Sequence, residues 1–327
     1  MTKVSIVLPT YNRARFLPEV LSSIARQEFR DWELIVVDDG STDNTREIVE
    51  DFRKKSDNKV EYIYQKNKGP AAARNKGLEY ATGFYIAFCD SDDIWLPHHL
   101  KKCVNVLDLY PDIDWVFGAS KIIEFETGKI LNPNHFYEPD GRPRAVRKLR
   151  TKKRGNLYVI KDKNVIKCAL IDGLRSGFQN SVIRHTVFKN SRLDERFNIG
   201  EDQIFVIHAL KKGFIFAYFD DIHVLYRVHN DNLTAANKDS VDKSVKVCLN
   251  LINSLKSLKS ELTFWERKFL YRRLSMIYFW NIGYFLYING YINEALTYFK
   301  KGILYWIFDF KYWKTYIRVM IKKYVKR

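Results

Sequence analysis

The amino-acid sequence predicts an α/β fold, in which helices cover both faces of a parallel sheet. Over the first 118 residues, short apolar runs alternate with amphipathic stretches, and the connections between them are short. Such alternation predicts parallel strands joined by crossover helices. The chain has 327 residues, of which 46% are hydrophobic, so it can bury the core of this domain and of a second, smaller region.

The predicted elements follow one another in regular order. The predicted strands of the first part are residues 4–8, 34–37, 60–64, 85–89 and 115–117. The predicted helices between them are residues 17–26, 42–52, 70–81 and 97–109. The pattern is irregular from residue 120 to 200 and becomes regular again in strand 181–184, in a helix after Asp202 and in strand 214–227.

A basic segment and a helical tail interrupt this pattern. In residues 142–154, eight of thirteen residues are Lys or Arg, and so dense a charge run predicts a solvated loop. We consider acceptor or membrane contact for this loop. The composition changes near residue 241, and we place a domain boundary between residues 238 and 239. The predicted helices of region 239–327 are residues 245–258, 263–287, 291–308 and 313–325.

The net charge and the cysteine content indicate which partners and which cellular compartment to expect. The net charge of +17 and the aromatic content of 15% favour anionic partners such as nucleotides, nucleic acid, lipid head groups or diphosphate-linked substrates. The four cysteines lack metal or redox spacing, which predicts buried thiols in a reducing compartment. We see no signal peptide and no apolar run of about 18 residues. We therefore expect a cytoplasmic protein.

Polar motifs follow the first two predicted strands, at the ends where ligands bind in doubly wound sheets. Pro9, Thr10, Tyr11 and Arg13 follow the first strand, and Asp39 follows the second. No G-x-G-x-x-G or G-x-x-x-x-G-K-[ST] motif is present, which argues against a dinucleotide oxidoreductase and a P-loop nucleotidase. The acidic segment after the second strand is equally compatible with a capped turn.

Three carboxylates follow the fourth predicted strand, at Asp90, Asp92 and Asp93, with Ser91 among them. Crowded carboxylates repel one another unless a cation neutralises them. A hard divalent ion with oxygen ligands suits such a cluster. We therefore expect Asp90 and Asp92 to reach one ion, directly or through water, and this ion would also bind a diphosphate. A capped turn at a helix start is the alternative.

Three further segments supply candidate polar residues. Arg74, in the first turns of predicted helix 70–81, points either toward the strand ends or into solvent. Asp202 opens a helix and is either a general base or a helix cap. Arg227 and His229 follow the last predicted strand. His229 is a candidate metal ligand or phosphate donor, although a lone histidine is more often structural.

Taken in order, these motifs resemble the inverting family 2 glycosyltransferases, which have the GT-A fold. The resemblance covers roughly residues 3–235 and implies a mixed, mainly parallel sheet with flanking helices over residues 1–238, followed by a C-terminal helical extension. It implies that Asp202 is the catalytic base and that Asp92 and His229 bind Mn²⁺ or Mg²⁺. The nucleotide-sugar site implied by the resemblance comprises Pro9, Thr10, Tyr11, Arg13, Asp39, Arg74, Asp90, Ser91 and Arg227.

The resemblance also implies an activity. It is the transfer of a hexosyl or N-acetylhexosaminyl group, with inversion, from a nucleotide-diphosphate sugar to an acceptor hydroxyl. We expect a UDP-linked donor and a glycan acceptor, in the biosynthesis of surface polysaccharide, lipopolysaccharide or another glycan. The acceptor is lipid-linked if the tail binds a membrane.

The tail itself permits two interpretations. Residues 300–327 contain nine Lys or Arg against one Asp, interleaved with Trp and Tyr. This composition is typical of an interfacial helix on an anionic membrane, and would place the protein peripherally at the inner face of the cell membrane. The alternative is a helical cap whose aromatic side chains pack onto the catalytic domain.

Two functions from other classes remain as alternatives. The charge suggests a basic nucleic-acid-binding protein, but the sequence has no recognised nucleic-acid module and its strand ends are acidic. We therefore expect no nucleic-acid partner. A nucleotide-sugar-binding protein without catalysis is the second alternative, and the presence of both Asp92 and Asp202 argues against it.

Overall fold

A computed structural model describes residues 2–233 and 241–325. The chain divides into two compact units. The first comprises Met1–Cys168 and Gly173–His229, and the second comprises Ala169–Asp172 and Asn230–Arg327. The predicted domain boundary between residues 238 and 239 lies outside the described residues.

One sheet of eleven described strands forms the centre of the first unit. Its strands are β1 (Val4–Thr10), β2 (Trp32–Asp38), β3 (Val60–Tyr64), β4 (Tyr85–Phe88), β5 (Ile94–Trp95), β6 (Trp115–Glu124), β7 (Ile130–Asn132), β8 (Thr151–Arg154), β9 (Leu157–Ile160), β10 (Ser181–Arg184) and β11 (Phe216–Val228). Their spatial order is β3-β2-β1-β4-β10-β6-β11-β9-β8, with β5 beside β11 and β7 beside β6.

The strand directions confirm a mixed, mainly parallel sheet. Strands β3, β2, β1 and β4 are mutually parallel, and β6 and β11 are parallel to each other. Strand β10 lies antiparallel between β4 and β6. The alternation of strands and helices alone predicts a purely parallel sheet, because it contains no sign of a reversed strand arriving from the irregular middle of the chain.

Among the described residues, six α-helices precede β11, and the predicted ones among them form close to their predicted positions. They are α1 (Leu17–Ala25), α2 (Thr45–Lys55), α3 (Pro70–Tyr80), α4 (His99–Leu109), α5 (Val165–Ile171) and α6 (Glu201–Lys211). All seven residues of β1 and of β2 are buried, which is the pattern of strands that are covered on both faces.

Helix α3 lies unusually close to β1. Ala71, Ala72 and Ala73 are buried, and a Cβ atom added at Gly77 would lie 2.2 Å from Cγ1 of Val7. Real Cβ atoms do not approach other carbons so closely, so only glycine fits at this position without a shift of the helix. The small residues therefore bring the first two turns of α3, the second of which carries Arg74, down toward the strand ends.

The prediction of a loop for the basic segment was wrong for residues 145–148 and 151–154, which form regular structure, although five of its eight basic side chains are exposed. Ala145–Lys148 is a 3₁₀ turn with Val146 fully buried, and Thr151–Arg154 is β8, paired with β9. The density of charge alone predicts a loop, because it carries no information about the residues, distant in the sequence, that pair with these basic side chains.

Those partners are aromatic rings and carboxylates. The guanidinium of Arg147 lies 4.8 Å from the ring centroid of Tyr158 and pairs with Asp220 at 2.9 Å. Arg154 donates to both carboxylate oxygens of Asp112, at 2.8 and 2.9 Å, and its guanidinium lies 4.4 Å from the Tyr110 ring centroid. Arginine is suited to such joint stacking and bidentate pairing.

The second unit is helical, as predicted. Its helices include α7 (Val241–Ser257), α8 (Phe264–Met276), a π-helical segment (Ile277–Tyr284), α9 (Phe285–Ile288), α10 (Ile292–Tyr305) and α11 (Phe310–Val325). Its core contains Phe279 and Phe299, whose ring centroids are 4.4 Å apart, and Tyr312 stacks on Phe279 at 4.1 Å. Among the described residues, no helix is both long and apolar enough to cross a bilayer.

The close approach of α3 to β1 yields a prediction. Gly77→Ala will lower the free energy of unfolding by about 1–3 kcal/mol, because the new methyl group overlaps Val7. Urea denaturation measures this loss. The double variant Val7→Ala/Gly77→Ala will lose less than the sum of the two single variants, by at least about 0.5 kcal/mol. A neutral Gly77→Ala variant would contradict the packing described.

Candidate active site

The carboxyl ends of β1, β2 and β4 lie side by side. Thr10 at the end of β1 is in register with Asp38 at the end of β2, and the Asp39 N–H donates to the Thr10 carbonyl at 2.8 Å. The Cys89 N–H donates to the Val7 carbonyl at 3.0 Å. The polar motifs that follow these three strands therefore meet at one edge of the sheet.

Asp39 organises the loop that precedes α3. Its Oδ1 accepts from the Gln65 side chain at 2.7 Å and from the Lys68 N–H at 2.9 Å, and its Oδ2 accepts from the Gly69 N–H at 2.8 Å. Gly69 has φ +92°, which glycine adopts without strain. Because each carboxylate oxygen can accept twice, Oδ2 retains capacity for one further donor.

Arg74 joins three elements at the centre of the site. Its Nη2 donates to Asp90 Oδ1 and its Nη1 donates to Glu201 Oε1, both at 2.8 Å. Asp90 follows β4, Glu201 is the first residue of α6, and Arg74 belongs to α3. Arg74 and Glu201 are buried, so each buried charge depends on the others for compensation.

Burial and neighbouring negative charges raise the pKa values of the two acidic residues at the start of α6. Burial raises the pKa of Glu201 to about 7, with the Asp202 charge adding to the rise and Arg74 opposing it. Burial also raises the pKa of Asp202, whose Oδ1 accepts from the Gln203 N–H at 2.7 Å. A carboxylate with a raised pKa is a stronger base than ordinary Asp.

A second cluster forms around Asp92. Its Oδ2 lies 3.1 Å from Nε2 of His229 and 3.6 Å from Nε of Arg13. His229 is buried and stacks on the fully buried Phe16, with ring centroids 4.3 Å apart. The stacking fixes the imidazole, so that one nitrogen faces the carboxylate.

Arg227 holds the segment after β4 against β11. Its N–H donates to Asp93 Oδ1 at 3.0 Å, its Nε donates to the Asp92 carbonyl, and its Nη1 pairs with Glu19. Asp93 is fully buried, and burial, together with the charges of Asp92 and Asp90, raises its pKa well above the ordinary range. Strand β5 lies beside β11 at Val224 and Leu225, which explains why the two segments meet here.

The donor set at Asp92 and His229 fits a divalent cation. Their facing ligand atoms are 3.1 Å apart, close to the separation of about 2.9 Å between adjacent ligands of an octahedral Mg²⁺ site. An imidazole ligand suits Mn²⁺ better than Mg²⁺, which strongly prefers oxygen. Asp90 Oδ1 accepts from Arg74, whereas Asp92 faces His229, so Asp92 is the better placed of the two as a direct ligand.

The remaining predicted site residues lie along the same edge of the sheet. Pro9, Thr10 and Ser91 are buried, whereas Tyr11 is 46% exposed. Oγ1 of Thr10 is buried and has no hydrogen-bond partner among the described residues. Thr10 therefore presents an unsatisfied hydroxyl next to the acidic motifs.

Sequence reasoning assigned no specific role to four contributors. Phe16 supports His229, Glu19 pairs with Arg227, Asp93 accepts from the Arg227 backbone, and Glu201 binds Arg74. Glu201 and Asp93 are neighbours of predicted residues, so their position beside acidic motifs could have indicated them. Phe16 and Glu19 carry no local signal, because their partners lie more than 200 residues away in the sequence.

A protein-family model and several known proteins match this chain. The model of a family described as glycosyl transferase family 2 matches residues 5–171, just over half of the chain. Escherichia coli WfgD, named UDP-Glc:alpha-D-GlcNAc-diphosphoundecaprenol beta-1,3-glucosyltransferase, is 39% identical over 133 residues, which are 40% of this chain and 51% of that protein. The chain spans about half or less of the length of several curated relatives.

Two longer matches extend the comparison. A Campylobacter jejuni protein named GalNAc(5)-diNAcBac-PP-undecaprenol beta-1,3-glucosyltransferase is 28% identical over 266 residues, covering 80% of this chain and 76% of that protein. The crystal structure of Staphylococcus aureus TarS 1–349 in complex with UDP-GlcNAc matches with a TM-score of 0.60 and 22% identity, over 91% of this chain and 81% of that chain. This likeness confirms the predicted GT-A fold.

The buried ion-pair network yields a prediction. Arg74→Met will lower the free energy of unfolding at pH 8 by about 3–5 kcal/mol, because buried Glu201 loses its compensating charge. The loss will be smaller at pH 5. A raised carboxyl pKa means that the folded state binds more protons, so stability falls as the pH rises from the ordinary value of 4.5 through about 7.

Urea denaturation at the two pH values measures both effects. The double variant Arg74→Met/Glu201→Gln serves as the matched control, because it removes the uncompensated carboxylate and will recover part of the loss at pH 8. An equal loss at pH 5 and pH 8, with no recovery in the double variant, would contradict the electrostatic account.

Proposed function

The chain belongs to glycosyl transferase family 2, and on this basis we propose that it is an inverting, metal-dependent glycosyltransferase. It transfers a hexosyl or N-acetylhexosaminyl group from a nucleotide-diphosphate sugar to an acceptor hydroxyl. The observation that carries the proposal is the Arg74 ion-pair network. It joins Asp90, in the Asp90-Ser91-Asp92 segment after β4, to the start of α6, where Asp202 lies.

Asp202 is the proposed catalytic base. An acceptor hydroxyl is a poor nucleophile, so its proton must leave as attack begins. The acceptor oxygen forms a bond to C1 of the sugar, the bond from C1 to the diphosphate oxygen breaks, and the proton passes to the Asp202 carboxylate. A single displacement of this kind inverts the configuration at C1. The raised pKa of Asp202 supports the role, because it strengthens the base.

The proposed nucleotide site lies at the ends of β1 and β2. Asp39 Oδ2 accepts only from Gly69 among the described residues, which leaves it able to bind an N–H of a nucleobase. The unsatisfied Thr10 hydroxyl lies on the neighbouring strand. The names of the WfgD and TarS matches contain UDP-Glc and UDP-GlcNAc, which supports a UDP-linked donor here.

Asp92 and His229 are the proposed ligands of the metal, and their mixed oxygen and nitrogen donors favour Mn²⁺ over Mg²⁺. When bound, the ion neutralises charge that develops on the departing diphosphate. Arg13 is close enough to Asp92 to contribute positive charge on the same side. Arg227 keeps the backbone of Asp92 and the side chain of Asp93 in place.

The acceptor is proposed to be a lipid-linked glycan in surface-glycan biosynthesis. The names of both sequence relatives specify undecaprenol-linked acceptors. An enzyme acting on such an acceptor benefits from contact with the membrane surface, so peripheral association at the inner face of the cell membrane is part of the proposal.

Helix α11 supplies a surface of the kind that this association requires. Phe310, Trp313, Ile317 and Ile321 are 88%, 41%, 46% and 53% exposed. Their helical spacing places them on one face of α11. The exposed basic side chains that each follow one residue later in the sequence are Lys311, Lys314, Arg318 and Lys322. An apolar stripe bordered by cations suits the interface of an anionic membrane.

Replacement of the base tests the proposed mechanism. Asp202→Asn will lower kcat by about 10²–10⁴-fold, because a neutral amide cannot accept the proton. UDP binding will stay unchanged. Exposed Asp57, changed to Asn, is the matched control and will keep full activity. Sugar transfer from UDP-glucose or UDP-GlcNAc with Mn²⁺ to an undecaprenol-diphosphate sugar provides the assay.

The pH profile adds an independent readout. Because the pKa of Asp202 is raised, kcat/KM in the parent protein will fall on acidification at a pH above the ordinary Asp value of about 4. Full turnover by Asp202→Asn with normal UDP binding would exclude Asp202 as the base.

Vesicle flotation tests the membrane surface. The protein will float with vesicles containing phosphatidylglycerol, and flotation will weaken as salt increases. A triple variant, Phe310→Ser/Trp313→Ser/Ile317→Ser, will reduce the bound fraction by at least about tenfold. The matched control Phe84→Ser, at a side chain that is 58% exposed in the first unit, will float normally. Failure of the parent protein to float would refute this surface.

A further inference from the structure

A compact histidine and cysteine cluster lies inside the first unit, apart from the residues assigned above. Nδ1 of His99 is 3.1 Å from Nδ1 of His223, and Sγ of Cys103 lies 4.0 and 3.8 Å from these two nitrogens. All three side chains are fully buried. His99 and Cys103 are one turn apart on α4, and His223 belongs to β11.

The three ligand atoms have the spacing of a metal site. Zinc binds imidazole nitrogen at about 2.0–2.1 Å and thiolate at about 2.3 Å, so that its tetrahedral ligands lie about 3.3–3.6 Å from one another. The observed distances between the three ligand atoms are 3.1, 3.8 and 4.0 Å, one below this range and two above it. Two imidazoles and one thiolate also match the preference of zinc for nitrogen and sulfur donors.

A carboxylate stands behind one of the ligands. Oδ2 of Asp221 lies 3.6 Å from Nε2 of His223, the ring nitrogen that faces away from the cluster. Metal-bound histidines commonly direct their second nitrogen toward a carboxylate, which orients the ring and strengthens the ligand. Asp221 also pairs with Lys102.

Among the described residues, the two Nδ1 atoms and the sulfur that face one another in the cluster make polar contacts only with one another. A metal binds neutral imidazoles and a thiolate, so the thiol proton of Cys103 is released on binding.

We propose that His99, Cys103 and His223 supply three of the four ligands of one zinc ion that fastens α4 to β11. Farther along the chain, β11 contains Arg227, and His229 follows directly after the strand. Strand β5, which follows Asp93 in the sequence, pairs with β11 just after His223. The ion therefore holds together the two chain segments that bring Asp92 and His229 face to face. It is distinct from the Mn²⁺ or Mg²⁺ of the proposed reaction and does not depend on that reaction.

Cobalt titration of the full-length, EDTA-treated protein tests the site. Co²⁺ occupies zinc sites and reports a thiolate ligand through a sulfur-to-cobalt charge-transfer band in the near ultraviolet. One equivalent of Co²⁺ will produce this band, and Zn²⁺ will displace it. Cobalt bound at Asp92 and His229 gives no such band, because neither side chain contains sulfur. No thiolate band in the parent protein would overturn the proposal, whatever the variants do.

Variants then assign the ligands. Cys103→Ser will abolish the band, while the matched control Cys248→Ser will keep it. Asp221→Asn will weaken Co²⁺ binding by about 10–100-fold, as expected for a carboxylate that orients a ligand histidine. Circular dichroism establishes that each variant is folded. A band that persists in folded Cys103→Ser, or that disappears in folded Cys248→Ser, would refute the assigned thiolate.

Discussion

The buried guanidinium of Arg74 is the interaction on which the rest of the site depends. It neutralises Asp90 and Glu201 at once, and in doing so it joins α3, the end of β4 and the start of α6. A buried carboxylate without such a partner would take up a proton or unfold its surroundings. The pKa of Glu201, raised to about 7 even with Arg74 present, indicates how closely burial and compensation are balanced. Asp202 occupies the next position on α6 and shares this environment.

The chain has many cationic side chains, but several of them are already paired with carboxylates and stacked on aromatic rings. Arg147 and Arg154 of the basic segment are paired with Asp220 and Asp112 and stacked on tyrosines. A nucleic-acid-binding face would instead keep its cations free for phosphates. The exposed cations that border an apolar stripe lie on α11, in the second unit. This distribution, like the family membership, favours a glycosyltransferase over a nucleic-acid binder.

The sequence predicts periodic structure and local motifs well, because both depend on neighbouring residues. Strands β3 and β10 form at the predicted bounds, and the acidic motifs lie at the strand ends as expected. Contacts between distant segments carry no such signal. Neither the stacking of Phe16 on His229 nor the pairing of Glu19 with Arg227 could be inferred, and the basic segment was mistaken for a loop because its tyrosine partners are remote. The His99, Cys103 and His223 cluster was missed for the same reason, since 120 residues separate Cys103 from His223.

The central claim is that the edge of the sheet binds a nucleoside diphosphate together with a divalent cation. Thermal-shift measurements with UDP, GDP and dTDP, each with Mn²⁺ and each with EDTA, test it most directly. A ligand that binds only the folded state raises Tm by mass action. The account predicts that UDP raises Tm in the presence of Mn²⁺ and that EDTA removes most of the shift. No shift with any nucleotide, with or without Mn²⁺, would contradict it.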